Sequence, residues 1–117
     1  MVIFDLAERT ATINDSTVFQ SASGIFSLIW HITAIDGTPP TLTLQILVED
    51  PVDGAYKVWK SFGLTQNSAV QTVYHVGSGD TPASDVIAQK MPRAHAKLRV
   101  IHSNPNGATY SISKLER

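Results

Sequence analysis

Thr41-Leu42-Thr43-Leu44-Gln45-Ile46-Leu47-Val48-Glu49 is the stretch on which the fold class turns. Leu42, Leu44, Ile46 and Val48 alternate with mostly polar neighbours, and a period of two over that length describes a strand buried on one face. Upstream, Gly24 to Ile35 is rich in Ile, Phe, Trp and Thr and carries apolar residues at both parities, as a central strand does. Asp36-Gly37-Thr38-Pro39-Pro40 joins the two with turn residues and two prolines that cannot continue a ladder, so a hairpin-like connection is expected.

Downstream, Asp50-Pro51-Val52-Asp53-Gly54 is a second turn, and Ala55 to Phe62 reads as a strand. Ser68 to Val76 sets Val70, Thr72, Tyr74 and Val76 on one face of a further strand. Gly77-Ser78-Gly79-Asp80-Thr81-Pro82 breaks the pattern. Ala83 to Lys90 could hold one helical turn capped by Asp80 or Thr81, but is short and weakly periodic, so a loop is expected. His95 to Ser103 and Ala108 to Leu115 are two terminal strands. The Asn106-Gly107 pair between them predicts a tight antiparallel hairpin with positive φ. Residues 1–23 are Ser/Thr-rich without a sustained period and are expected to form an arm or edge strand beside a β-sandwich domain over residues 24–117. The fold class is therefore all-β: an antiparallel sandwich or jelly-roll-like barrel with an extended amino-terminal arm.

Composition narrows the chemistry. At 117 residues the chain can bury a core without staples, and the absence of cysteine excludes disulfides, thiolate metal sites and cysteine nucleophiles. A net charge of -1 with 16% charged residues selects neither nucleic acid nor an acidic-tail role. Met1-Val2-Ile3-Phe4-Asp5-Leu6 has neither the basic start nor the apolar core of a signal peptide, and no apolar stretch is long enough to span a bilayer, so assembly in the cytoplasm is expected.

No catalytic or metal constellation emerges. His31, His75, His95 and His102 lack the spacing of a ligand pair. Glu49, Asp50 and Asp53 could offer oxygens to calcium, but the EF-hand ladder is missing and turn chemistry is the better account. Gly77-Ser78-Gly79 resembles the start of a phosphate cradle without the Lys-Ser/Thr that should follow. Lys90, Arg93, Lys97 and Arg99 form the basic cluster. Lys97 and Arg99 share one strand face, without the interleaved aromatics of a single-strand platform, so an acidic protein surface is the expected partner rather than nucleic acid. Trp30 shares parity with Leu28 and Ile32 and is expected in the core. Trp59 opposes Tyr56 and Val58 and is expected as an interface anchor. With Phe4 and Phe19 of the amino-terminal segment, the candidate protein-interface residues are Phe4, Phe19, Trp59, Arg93, Lys97 and Arg99.

Five elements recur in a fixed order: Gly37-Thr38-Pro39-Pro40-Thr41-Leu42-Thr43-Leu44-Gln45, Glu49-Asp50-Pro51-Val52-Asp53-Gly54-Ala55-Tyr56, Val76-Gly77-Ser78-Gly79, Met91-Pro92-Arg93 and Thr109-Tyr110-Ser111-Ile112. The series resembles small β-sandwich structural proteins of tailed phages. Met91 stands where that family usually has leucine, and Ala94-His95-Ala96 replaces an aromatic expected after Pro-Arg. The resemblance implies a virion protein without enzymatic activity or cofactor. Its expected role is that of a capsid decoration, or cement, protein whose partner is the major capsid protein on the capsid exterior. A head–tail or tail component is the alternative within that class. It also implies a homo-oligomer, with a trimer favoured by local three-fold positions on a shell, no membrane partner, and an amino-terminal arm that orders on the shell. From a different class, a carbohydrate- or host-receptor-binding module would use Trp59 and Tyr56 for stacking.

Overall fold

A computed structural model describes residues 1–12, 16–77, 79 and 81–117. Ile13, Asn14 and Asp15 of the expected arm, Ser78 of the Gly-Ser-Gly motif and the candidate cap Asp80 lie outside the described residues. The described residues form an all-β sandwich of eight strands: β1 (Val2–Arg9), β2 (Phe26–Ile35), β3 (Leu42–Glu49), β4 (Tyr56–Ser61), β5 (Gln71–Val76), β6 (Val86–Ile87), β7 (Ala96–His102) and β8 (Ala108–Glu116). One sheet has the order β1-β8-β2-β5-β6 and the other β4-β3-β7. All pairings are antiparallel except the two-residue match of β5 with β6.

Alternation builds the core. Phe26, Leu28, Trp30 and Ile32 of β2 point inward with Tyr110 and Ile112 of β8 and Tyr74 and Val76 of β5. They meet Leu42, Leu44 and Ile46 of β3 and Leu98 and Val100 of β7. Trp30 lies at the centre, edge-on to Tyr74 at 5.9 Å and to Tyr110 at 5.8 Å, an arrangement favoured by the ring quadrupoles. The core position expected for Trp30 is thus occupied, although its indole Nε1 is buried without a partner.

Two expected hairpins are instead arches between the sheets. β2 and β3 belong to different sheets, as do β7 and β8, so both linkers cross the core thickness rather than reverse within one ladder. Accordingly, no non-glycine residue among the described residues has positive φ, and Gly107 does not adopt it. The two arches brace each other: Asp36 N donates to Gly107 O at 2.9 Å, Asn106 Nδ2 to Thr38 O at 2.6 Å, and Thr41 N to Ser103 Oγ at 2.7 Å. Of strands consecutive in sequence, β3 and β4 lie side by side as an antiparallel pair and β5 and β6 as a short parallel one.

The amino-terminal segment shares the core with the rest of the chain. Val2–Arg9 is the edge-strand alternative, paired with β8 through two irregularities in register. Phe4 is 4% exposed, edge-on to Tyr110 at 6.3 Å, and Phe19 is 2% exposed, edge-on to Phe26 at 5.8 Å. Both expected interface aromatics are therefore core residues, because bulges displace the β1 parity and a single bridge, Phe19 to Ala96, turns the following segment inward. The hydroxyls of this segment satisfy backbone groups along β7: Ser16 Oγ accepts from Leu98 N at 2.8 Å and Thr12 Oγ1 from His102 N at 3.2 Å. These contacts occupy part of an edge that would otherwise offer free donors to another strand.

Ser21 and Ser23 donate to Glu116 Oε1 at 2.6 and 2.9 Å, while Lys114 Nζ pairs with its other oxygen at 2.7 Å. Partial burial raises the Glu116 pKa, but these partners outweigh it and hold the carboxyl down at about 2. At the same end of β2, Gly24 and Gly77 take positive φ in a tight corner, where a Cβ on Gly77 would stand 2.5 Å from Gly24 O. Lys90 packs against this corner rather than beside β7, which removes it from the expected basic cluster.

Candidate functional site: the outer face of the three-stranded sheet

The remaining candidate residues gather around the outer side of β4-β3-β7. Inward alternation of Leu98 and Val100 sends Lys97 and Arg99 outward, as their spacing predicts. Across the sheet, Lys97 is in register with Leu47, which faces Val58 on β4. Arg99 is in register with Gln45, which faces Ser61. Arg99 donates to Gln45 Oε1 at 3.4 Å, and Gln45 Nε2 passes the chain of bonds to Ser61 Oγ at 2.9 Å. Leu47 is only 3% exposed although it belongs to this face, so the flanking side chains roof it over.

Tyr56 forms the next part of the surface. Lys97 Nζ lies 4.6 Å from its ring centroid, within the range of a cation–π contact. Desolvation, then its hydrogen bond to the Glu49 carboxylate, pushes the phenol above its ordinary pKa. Glu49 also lies 3.7 Å from His95 Nδ1. The face therefore mixes both charges, with its cations on β7.

Trp59 is not the exposed anchor that its parity implied. Leu47 is in register with Val58 but Ile46 with Lys60, so β4 carries one extra residue. Val58 faces outward through its pairing with Leu47 and is 46% exposed, while Trp59, the extra residue, packs half-buried against the core cluster. Tyr56 and Val58 are thus outward and Trp59 inward, the reverse of the expected assignment.

Arg93 is exposed in the turn before β7 and lines a cleft of about 630 Å³. Val48, Pro51, Pro92 and Ala94 give the cleft apolar walls, and Glu49, Lys57 and His95 give it polar ones. Arg93 forms no ion pair with any described residue. Glu49 belongs both to the cleft and to the sheet face, so the two are contiguous.

The neighbouring acids serve the turn. Asp50 Oδ1 accepts from Val52 N at 2.8 Å and Asp53 Oδ1 from Ala55 N at 2.9 Å, while Lys57 Nζ bonds the remaining oxygens at 2.7 and 3.1 Å. The Lys57 bond, then the Val52 amide, lowers the Asp50 pKa, and the two carboxylates raise that of Lys57. Their lone pairs are spent on the turn, which fits the turn chemistry expected from sequence. Among the described residues, no three histidine or carboxylate side chains converge as a metal site would require.

Sequence reasoning located Lys97, Arg99 and Arg93 but passed over Gln45, Leu47 and the outward turn of Tyr56. The register of β3 against both neighbours joins these residues, and no local spacing reports that register. No family model, curated protein or solved structure matches the chain.

Proposed function

We propose that this chain is a structural accessory protein of a phage virion, a capsid decoration protein that binds the major capsid protein on the shell exterior. The five ordered sequence elements support the family reading. The observation that carries the binding mode is the exposed face on which Lys97 and Arg99 stand side by side, with Tyr56 and Glu49 beside them and Arg93 on the contiguous cleft. Such a face suits an acidic, partly apolar protein surface: the cations steer the approach, and Tyr56 and Val58 supply contact area. Repetition over a shell lattice then makes individually weak contacts collectively long-lived.

Carbohydrate recognition is less well supported, because neither aromatic offers a bare ring. Lys97 covers Tyr56, and Trp59 packs against the core. Quantifying the chain in purified particles tests the proposal. A copy number that scales with the major capsid protein is expected, and a few copies per particle would assign the chain to the tail or the head–tail junction instead.

A further inference from the structure

His102 ends β7 where side chains of other elements converge on it. Its Nε2 lies 2.9 Å from Tyr110 Oη of β8, and its Nδ1 is buried without a hydrogen-bond partner. Arg9 of β1 reaches the same tyrosine: its guanidinium lies 4.8 Å from the Tyr110 ring centroid and 5.0 Å from that of Phe4, and Nη1 donates to Tyr110 O at 2.8 Å. Arg9 also donates to Ala7 O at 3.1 Å and Asp5 O at 2.7 Å, in the stretch where the β1–β8 register shifts. Just beyond β1, Thr12 Oγ1 accepts from the His102 amide at 3.2 Å. β3 contributes Leu42, in register with His102. No carboxylate of the described residues pairs with this imidazole. Glu8 of β1 and Asp36, just after β2, close on Gly107.

We propose that His102 is an acid-sensitive latch on the amino-terminal strand, and that its protonation drives β1 off β8. A neutral imidazole suits the site with its one bond, to Tyr110. An imidazolium must donate from both nitrogens, and Nδ1 has no acceptor. Its charge also stands near the Arg9 guanidinium with no carboxylate to offset it. Desolvation, then the Arg9 charge, accordingly holds the His102 pKa below its ordinary value. Lifting β1 relieves both costs at once, because Arg9 leaves with the strand and the imidazolium gains access to water. β1 is also the element able to respond locally. It lies at a sheet edge, paired with β8 alone through an interrupted register, whereas β2 and β3 are paired on both sides. Opening leaves the β8 edge free to take another strand. The sign follows from the chemistry: closure is favoured above about pH 6.5 and weakens as pH falls, opening growing about tenfold per unit down to the depressed value. The inference does not rest on the virion reading.

Amide hydrogen exchange of the full chain from about pH 7 to about pH 4.5, corrected for the pH dependence of the chemical step, provides the test. Glu116, held at about 2, stays ionised over this range. Amides of β1 should lose protection about tenfold per pH unit below about 6.5 and hardly respond to low urea, as a local opening does. Those of β2 and β3 should keep a higher protection that urea erodes. His102→Gln retains a donor for Tyr110 and cannot charge, so its β1 exchange should not change with pH. The imidazole titration of the unaltered chain, read by nuclear magnetic resonance, should have its midpoint where the gain in β1 opening levels off. That measurement decides the question even where His102→Gln fails to fold. Protection of β1 that is constant with pH, equal protection in β1, β2 and β3, or a His102→Gln chain that opens like its parent would overturn the inference. An imidazole midpoint at or above about 6.5 would do the same.

Discussion

The two outer faces of the sandwich rest on one core yet carry opposite chemistry. On the five-stranded side, outward positions of β2, β5 and β8 are Ser, His, Gln, Thr and aliphatic residues. On the three-stranded side, the same alternation presents Lys97, Arg99 and Glu49. Burial requires only that inward positions be apolar, so outward positions were free to diverge. One face keeps its carboxylates, Asp5 and Glu8, on the β1 edge. The other is suited to a surface of complementary charge.

The largest expected effect strikes both faces together. Trp30→Ala empties the centre of the shared core and should cost about 3–5 kcal/mol, read from the urea midpoint. Gly77→Ala comes next, because its positive φ and the approach of Gly24 O leave no room for a Cβ. A loss of about 1–3 kcal/mol is expected, again without distinguishing the faces.

Acid should weaken the core in two steps. His102 Nε2 lies 2.9 Å from Tyr110 Oη, and desolvation, then the Arg9 charge, depresses its pKa. The folded chain therefore resists protonation where the unfolded chain accepts it, and the contribution present above about pH 6.5 is lost as pH falls through the depressed value. Glu116 adds a second loss between its ordinary 4.5 and about 2. Urea midpoints measured against pH should show both steps, His102→Gln flattening the first and Glu116→Gln the second. The smallest effect separates the faces: Lys97→Ala removes one exposed cation–π contact and should change stability by about 0.5 kcal/mol, well below its effect on shell binding.

Much of the architecture was legible because it is written in period two. The run from Leu42 to Val48 announced β3, and Lys97 with Arg99 announced an outward pair. What could not be read was which strands share a sheet. Asn106-Gly107 and Pro39-Pro40 look locally like reversals, yet both bridge the core, because sheet membership is set by long-range packing that a dipeptide does not encode. Long-range register hid the rest: the pairing of Val58 with Leu47 set Val58 outward and Trp59 inward, and two irregularities in β1 concealed the burial of Phe4. The uncharged face escaped notice for another reason. Ile29 and Val73 look ordinary in sequence, and only the β2–β5 register brings them together.

The chain contains no cysteine, so a single introduced thiol reports one face at a time. Maleimide labelling of the Val73→Cys and Lys97→Cys variants, under reducing conditions, tests the contrast between the faces most directly. Labelling at position 97 should slow only when the chain is bound to shells, and labelling at position 73 should proceed alike in the free and the bound chain. Unchanged labelling at position 97 on shells, or protection at position 73 in its place, would contradict the assignment of the charged face to another protein.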